Sequence, residues 1–212
     1  RKGTKIDVSL LKNTLMKLGF KIIHGYDLTF VEINALLKKV SERDHSEYDC
    51  FVLVCLTHGE ANIIHASDNP YNPNKLWCNF TDEKCPGLVG KPRMFFIQAC
   101  RGNKIDSGIK LHFKLQKKPH SRKCVNFDVF VNSQEKYESY NLPTHPDFLI
   151  AFSTVQDYVS YRRPNEGSWF IKALCETLNK YAYTEDMLAL LTRVNWKVAV
   201  EFESYNKEDP AN

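Results

Sequence analysis

Three short runs of apolar residues restrict the folds that this chain of 212 residues can adopt. They cover residues 50–56, 94–97 and 148–152, and polar residues do not interrupt any of them. A strand that is apolar on both faces is buried on both faces, which is typical of parallel sheets covered by helices. The runs therefore predict a buried, mostly parallel sheet at the centre of the molecule.

Helical patterns lie before and after these runs. Residues 7–18, 168–181 and 185–203 carry apolar side chains three or four positions apart. Thr29 followed by Glu32 forms a capping box and predicts the start of a further helix, while residues 20–23 predict a short additional strand. Strands that alternate with helices predict an α/β layered fold, with helices on both faces of a mostly parallel central sheet.

The cysteine content indicates free thiols. The seven cysteines are at positions 50, 55, 78, 85, 100, 124 and 175. No pair has the C-x-x-C spacing of zinc sites, so we expect no metal. Free thiols are typical of a reducing compartment, so we expect a cytoplasmic protein. No apolar stretch approaches the roughly 20 residues that span a bilayer, so we expect no membrane partner.

The positive charge is concentrated in one segment. The formal net charge is +4, yet residues 110–123 alone contain six Lys or Arg and no acidic residue. Such a segment can bind nucleic acid or an acidic partner. Phe113 is its only aromatic residue, so stacking on bases has little support. We therefore favour a solvated, protease-sensitive loop and expect no nucleic-acid binding.

A histidine and a cysteine follow two of the predicted strands. His58 lies just beyond the first apolar run and Cys100 just beyond the second, so both are expected at the carboxyl edge of the sheet. An imidazole can accept a thiol proton and later protonate a departing amine, while the backbone N–H groups of Gly59 and Cys100 can stabilise an oxyanion. Taken singly, each residue fits a structural role better. Their joint occurrence favours a nucleophile and its proton partner.

The pentapeptide from Gln98 to Gly102 resembles the catalytic motif of caspases, cysteine endopeptidases that cut after aspartate. The histidine precedes the cysteine by 42 residues, and the family motif places it about fifty residues upstream. The resemblance implies a caspase-like fold and an executioner-type enzyme of apoptosis, from an insect or another animal. It also implies His58, Cys100 and Gly59 as catalytic residues, with no cofactor.

The same resemblance implies a set of substrate-binding residues. They are Arg1, Gln98, Tyr161, Arg162, Arg163 and Trp169. Arg1 and Arg162 would give charge-assisted hydrogen bonds to the substrate aspartate, and Gln98 would complete this primary pocket. The aromatic pair would form the walls of the next subsites. Arg163 stands where many executioner members carry a smaller polar residue, which leaves the preference beyond aspartate open.

The resemblance further implies how the chain is divided. Within one caspase domain, residues 1–106 would form a large-subunit-like catalytic region, residues 107–141 a linker that is cut after aspartate, and residues 142–212 a small-subunit-like region. Two such pairs of subunits would form a homodimer. The family also has a sheet strand before the Arg1 loop and another after the last helix, so the chain is expected to be incomplete at both ends.

Two alternatives stay open. An initiator role is not excluded by these motifs. A catalytically silent caspase-like scaffold that regulates an active caspase is the second alternative. A silent copy has no chemical reason to keep His58, Cys100, Arg1 and Arg162 together, so the sequence favours the active protease. Its expected substrates are proteins with aspartate at the cleavage site.

Overall fold

The computed structural model describes residues 3–106, 145–163 and 165–202. Four α-helices lie in these ranges: α1 (Thr4–Lys17), α2 (Phe30–Ser41), α3 (Trp169–Tyr181) and α4 (Met187–Glu201). The strands are β1 (Phe51–Leu56), β2 (Gly59–Glu60), β3 (Ile63–His65), β4 (Pro70–Tyr71), β5 (Arg93–Gln98), β6 (Phe148–Phe152), β7 (Arg162–Arg163) and β8 (Gly167–Ser168). The helices predicted at 7–18, 168–181 and 185–203 are confirmed with small shifts of their ends.

The central sheet contains β1, β5 and β6 in the order β1–β5–β6, and both strand pairs are parallel. The register pairs Leu56 of β1 with Gln98 of β5, and Ile97 of β5 with Phe152 of β6. These three strands are the three apolar runs of the sequence. The predicted parallel sheet is therefore confirmed.

Two apolar clusters cover the faces of this sheet. One cluster joins Met94 and Phe96 of β5 to side chains of α1, α3 and α4, including Leu174 and Val194. The other joins Phe95 and Ile97 to α2 and to the loops between β4 and β5. Alternate residues of β5 thus enter opposite clusters, as the two faces of a strand require. The predicted helices on both faces are confirmed.

Two features differ from the sequence prediction. Residues 20–23 form no regular strand, and they face β1 across a groove of about 810 Å³. The segment between β1 and β5 contains the short antiparallel set β2–β3–β4, which was not predicted. Strands of two or three residues are too short to produce a periodic pattern, which explains why this set escapes detection.

Helix starts follow local sequence signals. Thr29 caps α2, because its side chain accepts a hydrogen bond from the Glu32 N–H and the Glu32 carboxylate accepts one from the Thr29 N–H. Asp186 caps α4 by accepting from the N–H groups of Leu188 and Ala189. The predicted capping box is therefore confirmed. Such caps stabilise a helix by about 1 kcal/mol each.

A buried arginine fixes the start of the last parallel strand. Arg93 is fully buried, donates to the carbonyl oxygens of Phe80 at 2.8 Å and Pro146 at 3.0 Å, and lies 4.8 Å from the ring centre of Phe148. Its backbone N–H donates to the carbonyl of Asp147 at 2.9 Å. The guanidinium therefore holds the chain where β6 begins.

Among the described helices, none is long and apolar enough to cross a membrane.

Candidate active site

The parallel register brings the ends of β1 and β5 together. The Thr57 N–H, one residue after β1, donates to the Gln98 carbonyl at 3.0 Å. His58 and Cys100 follow these two residues at the same edge of the sheet. Cys100 is half-buried and His58 is exposed. The structure thus places the predicted nucleophile and proton partner on adjacent strand ends.

Gly59 packs directly against the loop that carries Cys100. A Cβ atom on this glycine would lie 2.5 Å from the carbonyl oxygen of Cys100 and 3.1 Å from the Cβ of Ala99. The Ile63 carbonyl would be 3.0 Å away. Backbone atoms cannot move aside as a flexible side chain can. The close approach of the His58–Gly59 turn to Cys100 therefore depends on glycine at this position.

The hairpin after β1 holds the histidine turn in place. The His58 carbonyl accepts a hydrogen bond from the His65 N–H at 3.1 Å. The Thr57 hydroxyl donates to the His65 carbonyl at 2.5 Å. Both bonds connect the turn to β3, which pairs with β2 and β4. The backbone that carries the imidazole is therefore attached to a small sheet of its own.

The sulfur of Cys100 is oriented by one residue of the loop after β6. The Ser160 N–H donates to Sγ at 3.3 Å, and the thiol lies 3.9 Å from the Ser160 carbonyl oxygen. An N–H donor at this position complements negative charge on sulfur, the form in which cysteine attacks carbonyl carbon. Ser160 therefore both positions the sulfur and provides a dipole aimed at it.

The loop from Ser153 to Ser160 is hydrogen-bonded to the Cys100 loop over several residues. Arg101 donates its N–H to the Tyr158 carbonyl at 2.9 Å, and its carbonyl accepts from the Asp157 N–H at 3.0 Å. The Arg101 guanidinium lies over the Phe152 ring, 4.2 Å from its centre. A Cβ atom on Gly102 would collide with the Asp157 backbone. The two loops therefore behave as one packed unit next to the thiol.

The predicted primary pocket contains buried polar atoms without partners. Gln98 is only 1% exposed, and its Nε2 donates to the Ser160 hydroxyl at 2.7 Å. Its Oε1 and the Nη1 of Arg162 are both buried with no hydrogen-bond partner among the described residues. An unpaired guanidinium N–H in such a place is costly, so it favours an anionic occupant. Arg1, the other predicted pocket arginine, lies outside the described residues.

The predicted aromatic wall is formed by stacked rings. Tyr161 stacks on Trp169 with ring centres 4.6 Å apart and an angle of 18° between the planes, and Phe202 also stacks on Trp169, with ring centres 5.3 Å apart. Arg163 is placed differently, because its side chain is 41% exposed and lies 3.3 Å from the Glu166 carboxylate in an ion pair. The structure thus groups the two aromatic residues and leaves Arg163 in a surface ion pair.

A buried carboxylate that sequence analysis missed supports this wall. Asp7 of α1 is fully buried and accepts hydrogen bonds from the Ser168 N–H at 2.7 Å and hydroxyl at 2.6 Å. A Cβ on Gly167 would lie 2.5 Å from the same carboxylate. An aspartate in the first turn of an amphipathic helix normally indicates a solvent-exposed position, so no sequence signal marked it. Ser153 and Ser160 were likewise not assigned a role.

A cleft of about 460 Å³ adjoins Cys100. Its lining includes Cys100 and Arg101 together with Trp77, Asn74 and Phe152, but none of the residues predicted for the primary pocket. The cleft beside Cys100 is therefore separate from the residues predicted for the primary pocket. Within the ranges that the structure describes, no group of three or more His, Cys, Asp or Glu side chains is arranged to hold a metal ion.

Comparison with known proteins places these features in a family. The caspase-domain family model matches residues 1–211. Caspase-1 of Spodoptera frugiperda is 46% identical over all 212 residues, and Caspase-3 of Mesocricetus auratus is 38% identical over 97% of the chain. The chain spans 65% of the length of the first relative and 68% of the second.

A solved structure has the same fold. The crystal structure of Caspase-1 from Spodoptera frugiperda superimposes with a TM-score of 0.83 at 42% sequence identity. The match covers 98% of this chain and 73% of that chain. Because the family model and these relatives match almost the whole chain and its parallel sheet, the chain belongs to the caspase family.

Proposed function

We propose that this chain is the catalytic portion of a cysteine endopeptidase that cuts proteins after aspartate. The observation that carries the proposal is the Nη1 atom of Arg162, which is buried and has no hydrogen-bond partner among the described residues. Arg162 follows Ser160 by two positions, and the Ser160 N–H donates to Cys100 Sγ. A buried cationic donor in the segment that positions the thiol suits a substrate carboxylate. Family membership and the Gly59 contact with the catalytic loop support the same conclusion.

The proposed reaction proceeds in two steps. Cys100 attacks the backbone carbonyl carbon of the substrate aspartate, and His58 takes the thiol proton. The bond to the next residue then breaks, His58 gives the proton to the departing amine, and a thioester remains on Cys100. Water, activated by the same imidazole, then releases the acid and restores the thiol. The N–H groups of Gly59 and Cys100 stabilise the oxyanion in both steps, and one such donor contributes about 3 kcal/mol.

Specificity for aspartate follows from charge and length. Arg162, with Gln98 and Arg1, would bind the carboxylate, and hydrogen bonds to charged groups contribute about 1.5–3 kcal/mol each. Asparagine has the same shape without the charge, so we expect cleavage after asparagine to be at least about a hundredfold slower than cleavage after aspartate. Glutamate is longer by one methylene and would not fit. Substrate residues after the cut bond would occupy the cleft beside Trp77.

The test uses the full-length protein and paired fluorogenic peptides that end in Asp or Asn. Cleavage of the Asp peptide is expected, and Cys100→Ala should abolish it while the control Cys78→Ala, at a thiol outside the site, should not. Equal cleavage of the Asn peptide would contradict the charged pocket. No cleavage of either peptide by folded protein would favour the silent caspase-like scaffold instead.

The proposal extends to an executioner role in apoptosis, carried out in the cytoplasm. Similarity to Caspase-3 and Caspase-7 along nearly the whole chain supports it. An executioner added to cytosolic extract should cut many proteins after aspartate. An initiator should cut few proteins, chiefly the precursors of other caspases. Mapping the new protein N-termini in the extract by mass spectrometry separates these two results.

Processing and assembly are proposed on the same family basis. A cut after aspartate within 106–141 would separate a large-subunit-like region (residues 1–106) from a small-subunit-like region (residues 142–212), and the two would form a homodimer of such pairs. The linker and the basic segment 110–123 lie outside the described residues. An activated protein that keeps an intact linker in mass spectrometry would contradict the cut. A molar mass in light scattering that corresponds to one pair of regions would contradict the dimer.

A further inference from the structure

A chain of two hydroxyl groups connects the primary pocket to the catalytic cysteine. Gln98 Nε2 donates to the Ser160 hydroxyl at 2.7 Å. The Ser160 and Ser153 hydroxyl oxygens are 2.7 Å apart, and the Ser153 hydroxyl is 3.2 Å from the Ala99 carbonyl oxygen. Three contacts of hydrogen-bond length therefore lead from the side chain of Gln98 to the backbone of Ala99.

The direction of this chain is fixed by counting protons. An amide nitrogen can only donate, and each serine hydroxyl carries one proton. Ser153 donates its one proton to the Ala99 carbonyl, so the Ser160 proton is directed to Ser153, and the Ser160 oxygen accepts from Gln98 Nε2. If Gln98 instead presented its oxygen, Ser160 would donate to it, and Ser153 would have one proton for two contacts. Only the orientation in which the Gln98 amide presents its nitrogen makes all three contacts hydrogen bonds.

The acceptor at the end of this chain belongs to an important peptide group. The Ala99 carbonyl and the Cys100 N–H are parts of one planar unit, so a hydrogen bond to the carbonyl fixes the direction of the N–H. It also polarises the unit and makes the N–H a stronger donor. That N–H is one of the two proposed to stabilise the oxyanion, where preorganised direction matters most.

We propose that Ser153 is a positioning residue that orients and polarises the Ala99–Cys100 peptide for oxyanion stabilisation, with Ser160 linking it to Gln98. This inference rests on the proposed protease function. Ser153 touches neither the thiol nor the pocket arginine in the described contacts, so it acts through Ala99. Residues of the primary pocket and the oxyanion donor are thereby joined by one directional hydrogen-bond chain.

The structure allows the hydroxyl to be removed without detaching the loop. The Ser153 N–H donates to the Ile97 carbonyl at 2.9 Å, and the bonds of Arg101 to Tyr158 and Asp157 hold the remainder of the loop. None of these bonds uses the Ser153 side chain. Ser153→Ala therefore tests the hydroxyl, Ser153→Thr restores it, and Ser153→Cys replaces it with a weak donor of similar shape. Ser46→Ala removes an exposed hydroxyl elsewhere and is the control.

The test measures three quantities in the full-length protein. For Ser153→Ala we expect kcat on the Asp peptide to fall roughly tenfold with KM nearly unchanged, since the lost interaction acts in the transition state. The inhibition constant of a matching peptide aldehyde, whose adduct with the thiol has a tetrahedral carbon bearing an oxygen, should rise by a similar factor. Alkylation of Cys100 by iodoacetamide, which forms no oxyanion, should keep its rate. Ser153→Thr should recover most of kcat.

Each result has a defined meaning. An unchanged kcat, or alkylation slowed by the same factor as kcat, would overturn the role of Ser153. If Ser153→Ala does not fold, Ser153→Cys decides by the same comparison of kcat with alkylation. Absence of cleavage by the unsubstituted protein would instead refute the proposed function. The two failures are therefore distinguishable in one series of measurements.

Discussion

The two strands that lead to the proposed catalytic residues differ in burial. All six residues of β5, which leads to Cys100, are buried, and this strand has a parallel neighbour on each side. All six residues of β1, which leads to His58, are only half-buried. Within the described residues, β5 is the only strand paired with β1, whose other side faces the groove along residues 20–28.

This difference shows where the precision of the site originates. Cys100, the proposed nucleophile, follows the most buried strand of the described sheet, so its backbone is fixed by packing. The histidine extends from a less buried strand, and its position depends on contacts at the end of that strand. These contacts are the approach of Gly59 to Cys100 and the bonds to His65. Two predictions test this contrast and a third tests the packing of α3 against the same sheet, in order of decreasing effect.

The largest effect is expected for core truncation in β5. Phe95 is fully buried, and its register partner in β1 is the half-buried Leu53. We expect Phe95→Ala to lower the free energy of unfolding by about 3–5 kcal/mol, and Leu53→Ala by only about 1–2 kcal/mol, because less contact is lost. Urea denaturation measures both. Equal losses would show that β1 is as firmly packed as β5.

The second prediction concerns the end of β1. Gly59→Ala would place a methyl group 2.5 Å from the Cys100 carbonyl and push the histidine turn away. We expect cleavage of the Asp peptide to fall at least about a hundredfold, equivalent to about 2.7 kcal/mol in the barrier. Gly87→Ala is the control, because its nearest contact would be 3.3 Å from a His45 side-chain atom outside the site. Full activity of Gly59→Ala would show that the position of the histidine turn does not depend on this glycine.

The smallest effect is a loss of stability at alkaline pH. Burial raises the pKa of Cys175, on α3 beneath the sheet, from 9.0 to about 11. Because the neutral thiol is the form favoured in the fold, this stabilisation is complete below pH 9 and is lost as pH rises to 11. The loss should be on the order of 2 kcal/mol.

Unfolding measured between about pH 8 and pH 11 checks this value. Cys175→Ala removes the titrating group and should weaken the dependence, although it also shortens a buried side chain. Cys78→Ala, at a thiol that is only half-buried, is the matched control for the loss of a cysteine side chain. A dependence that is the same with and without Cys175 would assign the alkaline loss to other groups.

Long apolar runs and catalytic motifs were accessible from the sequence because each has a physical cause within a few neighbouring residues. Runs such as 94–97 must be buried on both faces, and Thr29 with Glu32 forms its cap locally. The prediction for residues 20–23 was wrong, because an apolar tetrapeptide does not determine whether a partner strand is present. The place of Cys100 and His58 at one edge followed from parallel topology alone.

The supporting residues could not be found in the same way. Ser153 and Asp7 acquire their roles only when distant segments pack together, since Asp7 binds Ser168, 161 positions away. Serine and aspartate at such positions are ordinary surface residues in a sequence pattern. Arg163 was assigned to substrate binding by family resemblance, which stays a prediction, and its ion pair with Glu166 could not be predicted from the sequence pattern.

The setting of Arg93 has a consequence for a severed chain. The guanidinium binds the Pro146 carbonyl, and β6 is held along its whole length by β5, so the segment after residue 145 is retained by bonds independent of covalent continuity. A peptide bond broken between 107 and 144 would leave those bonds unchanged. The two pieces would then remain a single particle, and separation would require loss of the core itself.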